Sequence, residues 1–116
     1  MSYDPDQRKL LSVVSHGSVI FTTTLIFGLG IPLAILLISD DPVVKSNAKE
    51  AMNFQLNVWA WSIVIGILTF LTLGLLGFIL IPLGFLIHWG MSIWAILFVL
   101  GNVNQPVRYP FILRPL

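Results

Sequence analysis

The chain has 116 residues, of which 57% are hydrophobic and 9% charged, and its formal net charge is +1. So small a charge gives no electrostatic footprint for nucleic acid, and the absence of cysteine excludes disulfides, thiol nucleophiles and iron–sulfur ligation. The two histidines lie far apart without clustered carboxylates, so the sequence predicts no metal site and no cofactor. A chain of this length cannot bury so much apolar surface on its own, and the composition therefore predicts an integral membrane protein.

The first apolar segment covers residues 10–38, which is too long for the apolar core of a signal peptide. Two glycines and a proline within residues 28–32 predict a break or a sharp kink in its helix. One tilted span here would give three crossings in all. A re-entrant hairpin would instead place every lysine and arginine on one face, which the positive-inside rule favours, although the part after the break is short for a full crossing. We favour the hairpin, with both termini cytoplasmic.

The second segment, residues 43–73, is predicted to be an amphipathic helix that continues into a transmembrane span. Asp41 and Pro42 supply a capping side chain and a favourable first helical residue. At about 100° per residue, a set of polar side chains falls along one edge of this helix. Two roles stay open for that edge: hydrogen bonds to neighbouring helices, or the lining of a small hydrophilic cavity. We call these residues the polar stripe: Ser46, Glu50, Asn53 and Asn57 share the edge, and Gln55 joins them as a lining residue of that cavity.

The last apolar segment, residues 78–101, is predicted to be a transmembrane helix. His88 lies near its middle, where a neutral imidazole needs a partner within the bundle, such as Asn57 or a threonine of residues 22–24. A packing histidine is the simpler interpretation. A single axial ligand for a pigment is the alternative, although no second coordinating group accompanies it.

The tail, residues 102–116, is predicted to lie at the membrane interface on the cytoplasmic side. Tyr109 suits the interfacial belt, and Pro110 would stop any continuation of the last helix. Arg108 would reach either a headgroup phosphate or Glu50, which lies at the other end of the uncharged stretch. We call this group of residues the C-terminal clamp, and it consists of Arg108, Tyr109, Pro110 and Arg114.

Several short motifs together resemble a bacterial family of small membrane proteins, that of domain of unknown function number 4870. The motifs are His16 in the first segment, the turn at Asp41 and Pro42, residues 49–55 (KEAMNFQ) and residues 108–114 (RYPFILR). That family is in turn distantly similar to the roughly twenty-kilodalton membrane subunit of the chloroplast inner-envelope import translocon, the Tic complex. The resemblance implies a helical membrane protein that helps to move or assemble other membrane proteins. Residues 104–106 (NQP) depart from the Gly-Glu that the family often has before its Arg-Tyr-Pro.

The chain is thus predicted to be an all-α integral membrane protein that forms a small helical bundle. No acid, base and nucleophile combination lies within its apolar segments, so the sequence predicts a non-enzymatic accessory or assembly subunit that packs against other membrane proteins. The alternatives are an oligomeric channel or transporter subunit and a pigment-associated subunit. The expected partners are the bilayer and other membrane proteins, with homo-oligomers open, in a multi-pass arrangement in a bacterial plasma membrane or a thylakoid.

Overall fold

The structure is a computed structural model that describes residues 4–18 and 25–116, without the side chains of residues 25–28. Within these ranges the chain forms four helices and no strand, which confirms the predicted all-helical fold for the described part. The helices are α1 (Pro5–Ser18), α2 (Leu25–Ile38), α3 (Pro42–Leu71) and α4 (Gly77–Gly101). By length and composition, α3 and α4 are long and apolar enough to cross a membrane.

Helix α3 begins at Pro42, one residue before the start of the predicted segment. Asp41 and Pro42 act as the predicted capping signals. The Asp41 side chain accepts a hydrogen bond of 2.9 Å from the backbone N–H of Val43. Pro42 occupies the first turn, where its missing N–H has no helical partner to lose. The helix then runs without interruption to Leu71.

The first apolar segment differs from the prediction. Helix α2 is continuous across residues 28–32, where we predicted a break, and Pro32 lies buried inside it. Packing of α2 against the first half of α3 outweighs the local preference of glycine and proline, which is a weak determinant beside tertiary contacts. At ~1.5 Å per residue, α1 and α2 are each about 21 Å long, so neither covers the hydrocarbon core of a bilayer.

The molecule is elongated, with extents of 57 × 25 × 20 Å, and has two parts. The head comprises α1, α2, the first half of α3, the last turns of α4 and the tail. The second part is a different hairpin from the one predicted for residues 10–38. It comprises residues 59–90, which are the rest of α3, the connecting turn and the first half of α4, and only this part is called the hairpin below. Most large apolar side chains of the hairpin are exposed, whereas the head contains the buried core.

Two apolar clusters hold the head together. One lies between α2 and α3, and its buried members are Ile35, Val44 and Ala48. The other joins α3, α4 and the tail, and its buried members are Ala51, Phe54, Ala95, Val99, Val107 and Tyr109. Because both clusters involve the first half of α3, the polar stripe lies between packed surfaces and not along an open face.

Candidate functional site

Asn47 lies at the centre of a buried polar network in the head. Its Oδ1 accepts from the Nε2–H of His16 at 2.8 Å and from the backbone N–H of Val107 at 2.9 Å. Its Nδ2 donates to the hydroxyl of Ser12 at 3.0 Å and to the carbonyl of Val43 at 3.1 Å. The amide therefore uses all four of its hydrogen-bonding positions, and it connects α1, α3 and the tail.

His16 is fully buried, and both of its ring nitrogens are bonded. Since Nε2 donates to Asn47, Nδ1 accepts from the hydroxyl of Tyr109 at 2.7 Å, which defines a neutral imidazole. Burial lowers the pKa of His16 from 6.5 to about 4, against the opposing effect of the hydrogen bond with Asn47. The histidine is thus neutral at physiological pH and holds α1 to the tail.

Tyr109 is 1% exposed, so its predicted place at the membrane interface is wrong. Its ring stacks on Phe54 with centroids 4.3 Å apart and meets the edge of Trp94 at 6.2 Å. Burial, together with the charge of Glu50, raises the pKa of Tyr109 well above its usual value, so the hydroxyl remains a hydrogen-bond donor. Pro110 does not end α4, because that helix already stops at Gly101.

Glu50 is buried and forms an ion pair with a basic residue of the tail, which is Arg114. Its carboxylate accepts from Nε of Arg114 at 2.9 Å and from Nη2 at 3.0 Å. It also accepts from the backbone N–H of Tyr109 at 2.8 Å. Arg108 is exposed, so the predicted pairing of Glu50 with Arg108 is wrong.

Two asparagines of the polar stripe bind the backbone of the tail. Asn57 accepts from the N–H of Leu113 at 3.0 Å and donates to the carbonyl of the same residue at 2.6 Å. Asn53 accepts from the N–H of Leu116 at 3.0 Å. The stripe therefore supplies the partners that an extended segment without its own helix or sheet needs for its backbone groups.

The remaining predicted residues are Ser46, Gln55 and His88. Ser46 is half-buried, and Gln55 is fully buried in α3. The ring of His88 lies 5.6 Å from the ring of Phe54, and the threonines proposed as its partners fall outside the described residues. The part of the chain that the structure describes contains no group of three or more His, Asp or Glu side chains placed to hold a metal ion.

A second polar cluster joins the start of α1 to the turn before α3. Arg8 donates to Asp41 at 2.6 Å and to the side chain of Asn104 at 2.8 Å. Burial alone would raise the pKa of Asp41, but the hydrogen bonds from Arg8 and Val43 and the charge of Arg8 together lower it. A cavity of about 230 Å³ opens beside this pair, and the polar stripe does not line it.

The predicted site residues did not include Arg8, His16 or Asn47. A usable pattern existed in α1, where Ser12, Ser15 and His16 place three polar side chains on one face of an otherwise apolar helical turn. All three are buried, as expected for polar side chains of a membrane protein, which face the interior of the bundle.

Comparison with protein families corrects the resemblance drawn from short motifs. The model of the MamF_MmsF family, described as the magnetosome magnetite crystal formation protein family, matches residues 7–116. The family of domain of unknown function number 4870 and the Tic-like relationship are therefore wrong. Short motifs are weaker evidence of a family than a match over residues 7–116. No curated protein and no solved structure matched. Because the match covers nearly the whole chain, the chain belongs to the magnetosome magnetite crystal formation protein family.

Proposed function

We propose that this protein is a non-enzymatic accessory protein of a magnetosome membrane and that it supports magnetite crystal formation through contacts with other membrane proteins. The family match supports the location and the process. The exposed apolar hairpin supports insertion into a bilayer, because soluble proteins rarely leave so large a continuous apolar surface in water.

One observation carries the non-enzymatic part of the proposal: the imidazole of His16 and the carboxylate of Glu50 are fully engaged inside the head. Both ring nitrogens of His16 are bonded within the protein, and the Glu50 carboxylate is occupied by Arg114 and the Tyr109 N–H. A general base or nucleophile must instead face a substrate with a free lone pair. The network therefore acts as structural support that fixes the shape of the head.

The hydroxyl groups of the hairpin offer little to a transport pathway. Ser62 donates its hydroxyl to the carbonyl of Val58, and Thr69 donates to that of Ile65, so both satisfy their own helix. A pore or coupled transporter normally relies on polar or ionisable groups that remain available to the solute. We therefore place the accessory role ahead of the channel or transporter alternative.

Deletion and complementation in a magnetite-forming bacterium test this proposal. We expect the deletion strain to form crystals of altered size or number in electron micrographs, and the wild-type protein to restore them. The wild-type protein should also remain with magnetically isolated vesicles after an alkaline carbonate wash. Ile67→Arg places a charge on the exposed face of the hairpin, so this variant should neither restore the crystals nor remain with the vesicles. The Ile67→Leu variant should do both. Normal crystals in the deletion strain, or loss of the wild-type protein in the wash, would contradict the proposal.

A further inference from the structure

The turn between α3 and α4, residues 72–76, has an unusual composition for a loop. It reads Thr-Leu-Gly-Leu-Leu, and Leu73 is 95% exposed while Leu75 is 72% exposed. Phe70 and Phe78 on either side are also exposed. Loops that face water usually carry polar side chains, because they lie on the solvated surface. The tip of the hairpin instead exposes large apolar side chains.

The backbone N–H groups of this turn need no water. Each N–H of residues 72–76 donates within the hairpin, the shortest of these bonds being 2.8 Å from Gly74 to the carbonyl of Thr69. The Thr72 hydroxyl bridges the two helices, because it donates to the carbonyl of Leu68 at 2.7 Å and accepts from the N–H of Leu76 at 3.2 Å. Hydrocarbon offers no hydrogen-bond partners, so this internal pairing removes the cost that unbonded N–H groups of the turn would have there.

Two glycines make so compact a turn attainable. Gly74 has φ +92°, a conformation that side-chain-bearing residues rarely adopt. Gly77 lies directly against α3, since a Cβ there would come within 2.7 Å of the Thr69 side chain. The two helices are therefore in contact up to the turn itself.

The stretch of the hairpin between Trp59 or Trp89 and the turn is shorter than the bilayer is thick. Trp59 on α3 and Trp89 on α4 lie at matching heights, each about 18 Å along its helix from the turn. Trp61 lies only about 3 Å nearer the turn than Trp59, so the three tryptophans mark one interfacial belt, and residues 62–86 contain no Trp, Tyr, Lys or Arg to form a second one. The hydrocarbon core is ~30 Å thick, so with the belt at one interface the tip ends several ångströms short of the other.

From these observations we infer that α3 and α4 form a re-entrant hairpin that enters the membrane from the face of the head, and whose tip lies among lipid acyl chains of the opposite leaflet. This inference rests on the proposed membrane insertion and deepens it. The described part of the protein then presents polar surface on one side of the membrane only. Its contacts with soluble or peripheral partners are confined to that side.

Single-cysteine spin labelling of the full chain in liposomes tests this inference, because the native sequence has no cysteine. We use three exposed positions: Leu73→Cys at the tip, Ile67→Cys in the hairpin, and Gln105→Cys in the tail as the aqueous control. Collision with a polar nickel chelate present on both sides of the membrane should be about tenfold weaker at positions 67 and 73 than at 105, because hydrocarbon excludes polar solutes. Collision with oxygen should be stronger at the two hairpin positions.

The outcomes separate this inference from the proposed function. If position 73 meets the chelate as readily as position 105 while position 67 does not, the hairpin crosses the membrane, and the re-entrant arrangement is wrong. If position 67 also meets the chelate, the hairpin is not inserted and the proposed function fails with it. A maleimide reagent that cannot cross membranes, added to one side at a time, should leave Leu73→Cys unmodified from either side. Modification from the side opposite to Gln105→Cys would overturn the inference.

Discussion

The contact between Glu50 and Arg114 should contribute a measurable coupling energy to the folded head. The carboxylate is buried, while the Arg114 side chain is 29% exposed, so solvent weakens the pair but does not remove it. Hydrogen bonds to charged groups contribute about 1.5–3 kcal/mol each. We expect Glu50→Gln and Arg114→Gln each to lower the free energy of unfolding by about 2 kcal/mol, since each leaves a charged or polar partner unsatisfied. The double variant should lose only about 2.5 kcal/mol, which gives a coupling energy of about 1.5 kcal/mol.

Unfolding by SDS in mixed micelles at neutral pH, followed by tryptophan fluorescence, measures these differences. Trp94 is a suitable reporter because it contacts Tyr109, whose N–H also binds Glu50. Arg108→Gln is the matched control: it removes the same charge from an exposed position in the same tail and should change the unfolding free energy by less than about 0.5 kcal/mol. Additive effects of the two Glu50 and Arg114 changes, or an Arg108→Gln effect as large as that of Arg114→Gln, would refute the assigned pairing.

Three further predictions concern the network, the turn and the tail. The pKa of His16 is about 4 in the folded state and 6.5 in the unfolded chain, so the unfolded state binds a proton more readily between these values. The folded state therefore loses stability as the pH falls from 6.5 towards 4. Unfolding measured at pH 7.5 and pH 5 should show a His16-dependent loss of about 2 kcal/mol, and an equal loss in His16→Gln would contradict it. Thr72→Val should reduce stability in bilayers by about 1–3 kcal/mol in thermal unfolding, because it removes the hydroxyl that bonds Leu68 and Leu76, whereas Thr72→Ser should be nearly neutral. Phe111 is fully exposed at φ +61°, so Phe111→Gly should raise the unfolding free energy by about 0.5–1 kcal/mol and Phe111→Ala should not; equal effects would mean that the backbone there is unstrained.

The helices that depend on local signals could be predicted from the sequence. The start of α3 follows from the Asp41 cap and Pro42, and the turn before α4 follows from the glycines that interrupt the apolar stretch. The helical wheel also placed Glu50, Asn53 and Asn57 on one edge, and all three contact the tail. These features depend on residues close together along the chain.

The partners of that edge could not be predicted, because they depend on how distant segments meet. Arg108 and Arg114 are both near the end of the chain, and the choice between them depends on a turn in which Phe111 adopts a positive φ that its residue type does not signal. Tyr109 suits either a membrane interface or a core with a polar partner, and only the position of His16 decides between them. Similarly, α2 keeps its helix through Pro32 because of packing that the local sequence does not show.

Amide hydrogen exchange of the full chain in lipid nanodiscs tests the central claim most directly, namely that a head fixed by its polar network carries a hairpin buried in the bilayer. We expect peptides from residues 59–90, including the turn at residues 72–76, to show almost no exchange, and peptides covering Asn47 to Asn57 to be protected by the bonded head. The exposed residues around Gln105 should exchange rapidly. Rapid exchange in the turn while the head stays protected would show that the tip faces water. Rapid exchange throughout residues 59–90 would show that the hairpin is not in the membrane, and the account would be wrong.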